Sequence, residues 1–257
     1  MTQHMVITGA TSGIGEAIAK AAAKDGYGLS ITGIEAENEV SDFLNGLAEL
    51  GAPFTHYRTV DLSKAEAARH LIEDLQSLQP IDVLVNNAGI QHVAPIEDFS
   101  QEAWDRVIAV NLSAAFHTIS AAMPVMKAHN YGRIINIASV HGLVASVNKA
   151  AYVAAKHGII GLTKTVALET AELNITCNAI CPGWVRTPLV EAQVIARAKA
   201  AARDIEEEAR LLVSEKQPSG AFVLPEQIGQ MALYLASDAA SMITGSSFTM
   251  DGGWTAQ

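Results

Sequence analysis

The sequence predicts an α/β fold: a single doubly wound domain whose parallel sheet is covered by helices on both faces. Three observations carry this. Strand-length apolar runs (HMVIT, GLSIT, IDVLVNN, RIINIAS, NITCNAI, SSFTM) alternate with longer helix-like stretches, the order that builds a parallel sheet. These runs are apolar throughout rather than at every second position, the pattern of strands buried on both sides. A glycine-rich turn joins the first run to the first helix-like stretch. At 257 residues and 49% hydrophobic content the chain can bury one large core, and no repeat or low-complexity linker divides residues 1–257.

Taken in order, IGEAIAKAAAKDG after Gly13 reads as a helix that stops at Gly26, a residue free to adopt a left-handed C-terminal turn. Ser63 and Glu66 have capping-box spacing for a helix running to Leu75. Ser100 is the expected N-cap of a long helix through Met126, which Pro124 is expected to kink or end. Residues 188–217 are highly charged and helical in pattern, either a solvated surface helix or a small helical lid over a ligand. MITGSSFTM reads as a buried strand. Cys177 and Cys181 share an extended run, which holds their Cα atoms roughly 13 Å apart and excludes a mutual disulfide.

The formal net charge of -10 argues against a nucleic-acid or anionic-membrane surface, since both require clustered Lys and Arg. An anionic substrate must then be met by local positive side chains. The opening residues carry no basic and apolar leader, and no run is expected to reach the ~20 apolar residues of a membrane span, so a soluble, cytoplasmic protein is expected. No metal site is expected either: the eight histidines are scattered and the cysteines have no partner at ligand spacing.

The turn Thr8-Gly9-Ala10-Thr11-Ser12-Gly13-Ile14-Gly15 lies between a strand and a helix, the Rossmann-type setting of a dinucleotide fingerprint. Glycine lets the backbone approach a pyrophosphate, and the helix N-terminus supplies free N–H groups. At the end of the second strand stands Thr32-Gly33-Ile34-Glu35, without the Asp expected there to accept a ribose 2'-hydroxyl. Neither this segment nor Ser12 is basic, so NAD is expected over NADP, with Glu35 the nearest carboxylate.

Tyr152 and Lys156 are four residues apart, on one face of a helix. An ammonium about 4 Å from a phenol at an effective dielectric near 20 is worth at most ~4 kcal/mol, or roughly 3 pKa units. The pair is thereby expected to bring the phenol toward neutral pH as a general base.

The spacing G-x-x-x-G-x-G after a Thr, together with Asn86-Asn87-Ala88-Gly89, Asn111, Ser139, Tyr152 with Lys156, and Pro182-Gly183, resembles the short-chain dehydrogenase/reductase family over essentially the whole chain. The resemblance implies a cofactor site of Gly9, Thr11, Ser12, Gly13, Ile14, Gly15 and Gly33, with Asp61 on the adenine beside Leu62. Asn87, Ala88 and Gly89 would lie along the cofactor, and Pro182, Gly183, Val185 and Thr187 would complete its site. It further implies that Ser139 hydrogen-bonds the reacting oxygen, Tyr152 exchanges the proton, Lys156 also holds the nicotinamide ribose, and Asn111 supports a water relay. The oxidative direction would send the alcohol's proton to Tyr152 and its hydride to NAD.

Between Ser139 and Tyr152 the sequence places His141 and Lys149, an imidazole and an ammonium suited to a carboxylate. The longer phrases NNAGIQHVAPIEDF, SVHGLVASVNKAAY, CPGWVRTPLVEAQ, EKQPSGAF and MDGGW are similar to the D-3-hydroxybutyrate dehydrogenase group of that family. In that group the residues matching Gln91, His141, Lys149 and Gln193 hold the substrate carboxylate, while those matching Trp184 and Trp254 shape a small pocket beside Ser139 and Tyr152. The implied reaction is reversible NAD-dependent oxidation of (R)-3-hydroxybutyrate to acetoacetate, a small hydroxy acid, by a homotetramer. Alternatives are another enzyme of the family acting on a different small alcohol or on acetoacetyl-CoA, and a non-catalytic dinucleotide sensor. The second has no need of Tyr152 with Lys156.

Overall fold

The structure, a computed structural model, describes residues 2–256. Seven strands, β1 (His4–Ile7), β2 (Gly28–Gly33), β3 (Thr55–Thr59), β4 (Val83–Asn86), β5 (Gly132–Ile137), β6 (Ile175–Pro182) and β7 (Ser247–Met250), form one sheet. All neighbours pair in parallel, in the order β3-β2-β1-β4-β5-β6-β7. The helices are α1 (Gly13–Lys24), α2 (Ser41–Glu49), α3 (Ala65–Leu78), α4 (Gln101–Ile108), α5 (Ala114–His129), α6 (Ala150–Glu169), α7 (Pro188–Ala201), α8 (Ile205–Ser214) and α9 (Pro225–Ala236).

The period of two along each strand sorts side chains into two cores. Met5, Ile7, Val83, Val85, Ile135 and Ile137 face α1, α2 and α9 through Ile18, Leu47 and Ile228. Their neighbours Val6, Leu84 and Ile134 face the opposite layer, through Ile72 on α3, Ile119 on α5 and Val166 on α6. Both faces of the central strands are therefore dry, which is why the runs that form them are apolar without alternation. The order reverses beside β1, since β2 lies on one side of it and β4 on the other, and this opens a crevice at the strands' carboxyl ends.

Several expectations are corrected. The strand β3, THYRT, lies outside the apolar runs because it is a half-exposed edge strand. β7 is the other edge and only partly buried, not the buried strand expected there. Helix α3 begins at Ala65 with Lys64 at the N-cap and no side-chain cap; Ser63 instead donates its hydroxyl to Oδ1 of Asp61 at 2.7 Å. Ser100 does cap α4, accepting from the Ala103 N–H, but the long helix is interrupted at Ala109–Ser113 by a π-helical turn. Pro124 does not end α5, which runs on to His129 and stops at Asn130 in the left-handed conformation (φ 49). Ser120, whose carbonyl Pro124 leaves without its helical partner, is exposed and can be satisfied by water. The helical run 101–129 is, by length and composition, apolar enough to cross a membrane, contrary to the expectation that no segment would be; here it packs against α3 and α6. The two cysteines are free and buried.

Candidate active site

The glycine-rich turn leaves β1 with Gly9 at φ 63, where a Cβ would lie 2.9 Å from Ala88 Cα. Only glycine lets this turn pass so close to the Asn87-Ala88-Gly89 segment after β4. Asn87 locks the approach, donating its amide to the carbonyls of Thr8 (2.9 Å) and Gly9 (2.7 Å), while Thr8 Oγ1 accepts from the N–H groups of Asn87 and Ala88. At Gly15 an added Cβ would collide with the Gly9 carbonyl. Gly15 accordingly packs beneath the turn instead of lining the crevice.

A crevice of about 390 Å³ opens above these strand ends. Gly9, Thr11, Ser12, Gly13, Ile14 and Gly33 line it from the β1 and β2 side. Asp61, Leu62, Asn87, Ala88 and Gly89 line it from β3 and β4, and Pro182, Gly183, Val185 and Thr187 from β6. Asn111, Ser139, Tyr152 and Lys156 close its floor. Of the residues expected to hold a cofactor, only Gly15 stands back from it. Ser12, at the N-cap of α1, makes no side-chain cap, so the N–H groups of the first turn remain available to an anion. A dinucleotide fits this donor set: free helix-terminal amides for a pyrophosphate, flanked by apolar walls for its rings.

Those walls include Ile34, Val60, Ile90 and Val110, which sequence reading did not single out. The first two directly follow β2 and β3, and that position is the signal that would have found them. Glu35 turns back over Gly33: its carboxylate accepts from Thr11 Oγ1 (3.1 Å) and the Ile34 N–H (3.0 Å), and its carbonyl accepts from Tyr57 (2.9 Å) and Thr59 (2.7 Å). The carboxylate thus reaches the crevice, where it is also a lining residue.

Asn111 sits in the π-helical turn with its amide donating to the carbonyls of Ile90 and Val107, both at 2.9 Å, and its Oδ1 buried without a partner. Lys156 is fully enclosed; its Nζ donates to the Ile137 carbonyl at 2.7 Å and lies 5.6 Å from the centre of the Tyr152 ring. Burial holds the ammonium down to about 8. Burial also pushes the Tyr152 phenol up, opposed by hydrogen bonding to Ser139. The expected lowering of the phenol by Lys156 is therefore not realised here, because the ammonium faces a backbone carbonyl and the ring face.

The residues expected around a substrate fall into two groups. His141, Tyr152, Trp184, Trp254 and Lys149 are contiguous: His141 stands edge-on to Tyr152 (5.9 Å between ring centres) and to Trp254 (5.4 Å), Trp254 lies 6.0 Å from Trp184, and Lys149 Nζ is 5.0 Å over the Trp184 ring. Gln193 on α7 donates to Gln91 at 3.1 Å, joining the helical segment to the loop after β4. That loop is tied in turn to the Lys149 loop by the Ala94 N–H on the Asn148 carbonyl, at 3.0 Å. Burial lowers both Lys149 and His141, the latter to about 4, with the Lys149 charge adding to the effect at His141.

The charged segment is two helices rather than one, broken at Ala202 (φ 52) and restarted by Asp204, whose carboxylate caps α8. Buried Glu208 binds Arg197 (2.8 Å) and Arg203 (3.0 Å), and Arg186 binds Glu191 and Glu206. Gln217, fully buried, accepts from the Trp184 N–H and donates to the Ala221 carbonyl at 2.7 Å. It anchors the base of the pocket wall, a role with no signal in spacing.

A family model described as enoyl-(acyl carrier protein) reductase matches residues 9–255. The chain is 51% identical to a D-beta-hydroxybutyrate dehydrogenase of Cupriavidus necator, over 98% of this chain and 97% of that one. A second protein of that name, from Rhizobium meliloti, is 50% identical over the full length of both. Among solved structures, 4-hydroxyisoleucine dehydrogenase complexed with NADH superposes with a TM-score of 0.87 at 34% identity, covering both chains completely. A putative 2-deoxy-D-gluconate 3-dehydrogenase from Agrobacterium tumefaciens with bound NADP gives 0.86 at 34%, covering 99% of this chain and 97% of that one. With crevice, glycine turn and Ser-Tyr-Lys cluster arranged on one parallel sheet, and with these matches along its length, the chain belongs to the short-chain dehydrogenase/reductase family.

Proposed function

We propose that this protein is an NAD-dependent dehydrogenase of (R)-3-hydroxybutyrate, interconverting it with acetoacetate. The observation that carries the reading is Lys149, a half-buried ammonium held over Trp184 and next to the His141–Tyr152 pair. Such a cation in an apolar wall suits one carboxylate on a short chain. The two relatives of that name, each about half identical in sequence, support the same substrate.

A bound nicotinamide dinucleotide would accept the hydride from the alcohol carbon. Tyr152 Oη takes the hydroxyl proton in oxidation and returns it in reduction, and Ser139 Oγ hydrogen-bonds the reacting oxygen. Lys156 would hold the cofactor ribose, and Asn111 Oδ1, buried and without a partner, would accept from a relay water. Lys149, His141, Gln91 and Gln193 would enclose the carboxylate, with Gln193 joined to Gln91 across it. Glu35 favours NAD, because its carboxylate at the crevice edge would accept a ribose 2'-hydroxyl and repel a 2'-phosphate. Self-association to a homotetramer fits the partly exposed β7 edge and the nearly bare Met242.

The test is reduction of NAD and of NADP by the purified protein with each enantiomer of 3-hydroxybutyrate, with lactate and with a neutral secondary alcohol. Selective turnover of the (R)-acid with NAD is expected, lost by at least about a hundredfold in Tyr152→Phe while cofactor still binds. Preference for NADP, for the neutral alcohol, or full activity of the variant would refute the assignment.

A further inference from the structure

The carboxylate of Glu35 reaches the crevice from an unpromising position. Glu35 stands two residues past the end of β2, in a run, 34–39, whose other members are all exposed. A side chain on such a run keeps no fixed place unless a group outside the run holds it. Two hydroxyls on the neighbouring strand do so. Tyr57 Oη and Thr59 Oγ1 both donate to the Glu35 backbone carbonyl, at 2.9 and 2.7 Å, and together fill its two lone pairs. They lie two residues apart on β3, hence on one face, with Tyr57 beside Ile31 and Thr59 beside Gly33 of β2.

The hold is on the backbone, so the carboxylate is left with acceptor sites to spare. Its Oε2 accepts the Ile34 N–H at 3.0 Å, and the single hydrogen of Thr11 Oγ1 is shared between Oε1 and Oε2 at 3.2 and 3.1 Å. A carboxylate offers about four acceptor sites. Tyr57 Oη is also within reach of this carboxylate and of the Thr59 hydroxyl, but its one hydrogen ends on Glu35 whichever oxygen it chooses. Gly33 makes the return possible: a Cβ there would strike Glu35 Oε2 and lie 2.6 Å from Tyr57 Oη. The nearby acids are turned elsewhere. Glu39 accepts the Ala36 N–H at 2.8 Å, away from the crevice lining, and Asp61, which does line the crevice, accepts the Ser63 hydroxyl at 2.7 Å.

We propose that Tyr57 and Thr59 are positioning residues for the choice of cofactor: by pinning the Glu35 carbonyl from the edge strand, they hold its carboxylate where it accepts a ribose 2'-hydroxyl and repels a 2'-phosphate. This rests on the reading of Glu35 as the group that favours NAD. Without the two hydroxyls the exposed run is free to swing the carboxylate into solvent. NAD would then bind less tightly and NADP more tightly. A general loosening of the crevice would weaken both, so the ratio of the two affinities separates the explanations.

Fluorescence titration of the purified protein with NADH and with NADPH gives both Kd values without turnover. Wild-type protein is expected to bind NADH about a hundredfold more tightly. In Tyr57→Phe/Thr59→Val, which keeps both shapes and removes both hydroxyls, that preference should fall about tenfold, with NADH weaker and NADPH tighter. Tyr57→Phe/Thr59→Ser, which restores one hydroxyl, should recover most of it. Glu35→Gln should lose most of the preference by itself, and adding Tyr57→Phe/Thr59→Val to it should change the ratio no further. An unchanged ratio in the double variant overturns the proposal, as does equal weakening of both cofactors or a further fall on the Glu35→Gln background. If the double variant fails to fold, Thr59→Val at its exposed position is read alone, with a fall of about threefold expected and an unchanged ratio overturning the proposal. A wild-type protein without preference for NADH, or a Glu35→Gln protein that keeps it, strikes the NAD reading of Glu35 and the proposal with it.

Discussion

Burial pushes the Tyr152 phenol up, opposed by Ser139, while Lys156 directs its ammonium at the Ile137 carbonyl and the face of the Tyr152 ring. The sign of the pH dependence follows. In the proposed reaction oxidation uses the phenolate, which accumulates only as pH climbs toward a raised phenol value, so kcat/KM for the alcohol should increase through the alkaline range. In the same proposal reduction uses the protonated phenol and should stay level across neutral pH. Parallel profiles in the two directions measure this; an oxidation rate already at its plateau below pH 7 would show a phenol lowered in the loaded enzyme. At this scale these crevice residues were legible because each stands in a short pattern with a spacing: Tyr152 and Lys156 one helical turn apart, Ser139 after a strand, Asn87 after another. Gln217 was not. Gln217 acquires its partner Trp184 from 33 residues away.

Among the elements, the strands and α1 were legible because burial on both faces and a glycine stop leave direct marks in composition. The break between α4 and α5 was not, since it depends on one side chain. The Asn111 amide bonds the Val107 carbonyl, the acceptor that the backbone N–H of residue 111 would use in an α-helix, and the ladder shifts to a π turn there. Likewise the alternatives for 188–217 could not be separated by charge pattern, because the deciding feature is which carboxylate is buried. Glu208 carries both Arg197 and Arg203, joining α7 to α8 so that Gln193 is presented to Gln91 by a braced pair of helices. Glu208→Gln removes the charge and keeps the size. It should raise KM for the hydroxy acid several-fold and hasten proteolysis within 187–217, with kcat at saturation nearly intact. A proportionate loss in kcat would instead place the brace in the catalytic step.

For the whole molecule, the layer arrangement followed from pattern, while the strand order came only with the structure, because apolar runs carry no label for their neighbours. The fully buried His4 and His141 tie acid stability to the fold at opposite ends of the sheet. His4 bonds Ser30 through Nε2 at 2.8 Å, with Nδ1 3.2 Å from the Gln79 and Pro80 carbonyls, and burial lowers its pKa. Burial lowers His141 to about 4. A group whose folded pKa lies below its unfolded value of about 6.5 stabilises the native state fully above 6.5, and that stability is lost as pH falls toward the folded value. At pH 5 the unfolded chain binds the proton and the folded one does not, so His141 alone costs about 2 kcal/mol relative to pH 7, and His4 adds to it with the same sign. The carboxylates held low, such as Asp251 by its bonds to Thr255 and Gly253, act only below the ordinary carboxylate range, which leaves pH 5 to 6.5 to the histidines. The thermal midpoint at fixed protein concentration should therefore fall between pH 7 and pH 5, and fall less steeply in His141→Asn. Equal falls in the two proteins would mean that the ring takes up its proton without leaving its place beside Ser139, and that acid sensitivity arises elsewhere in the molecule.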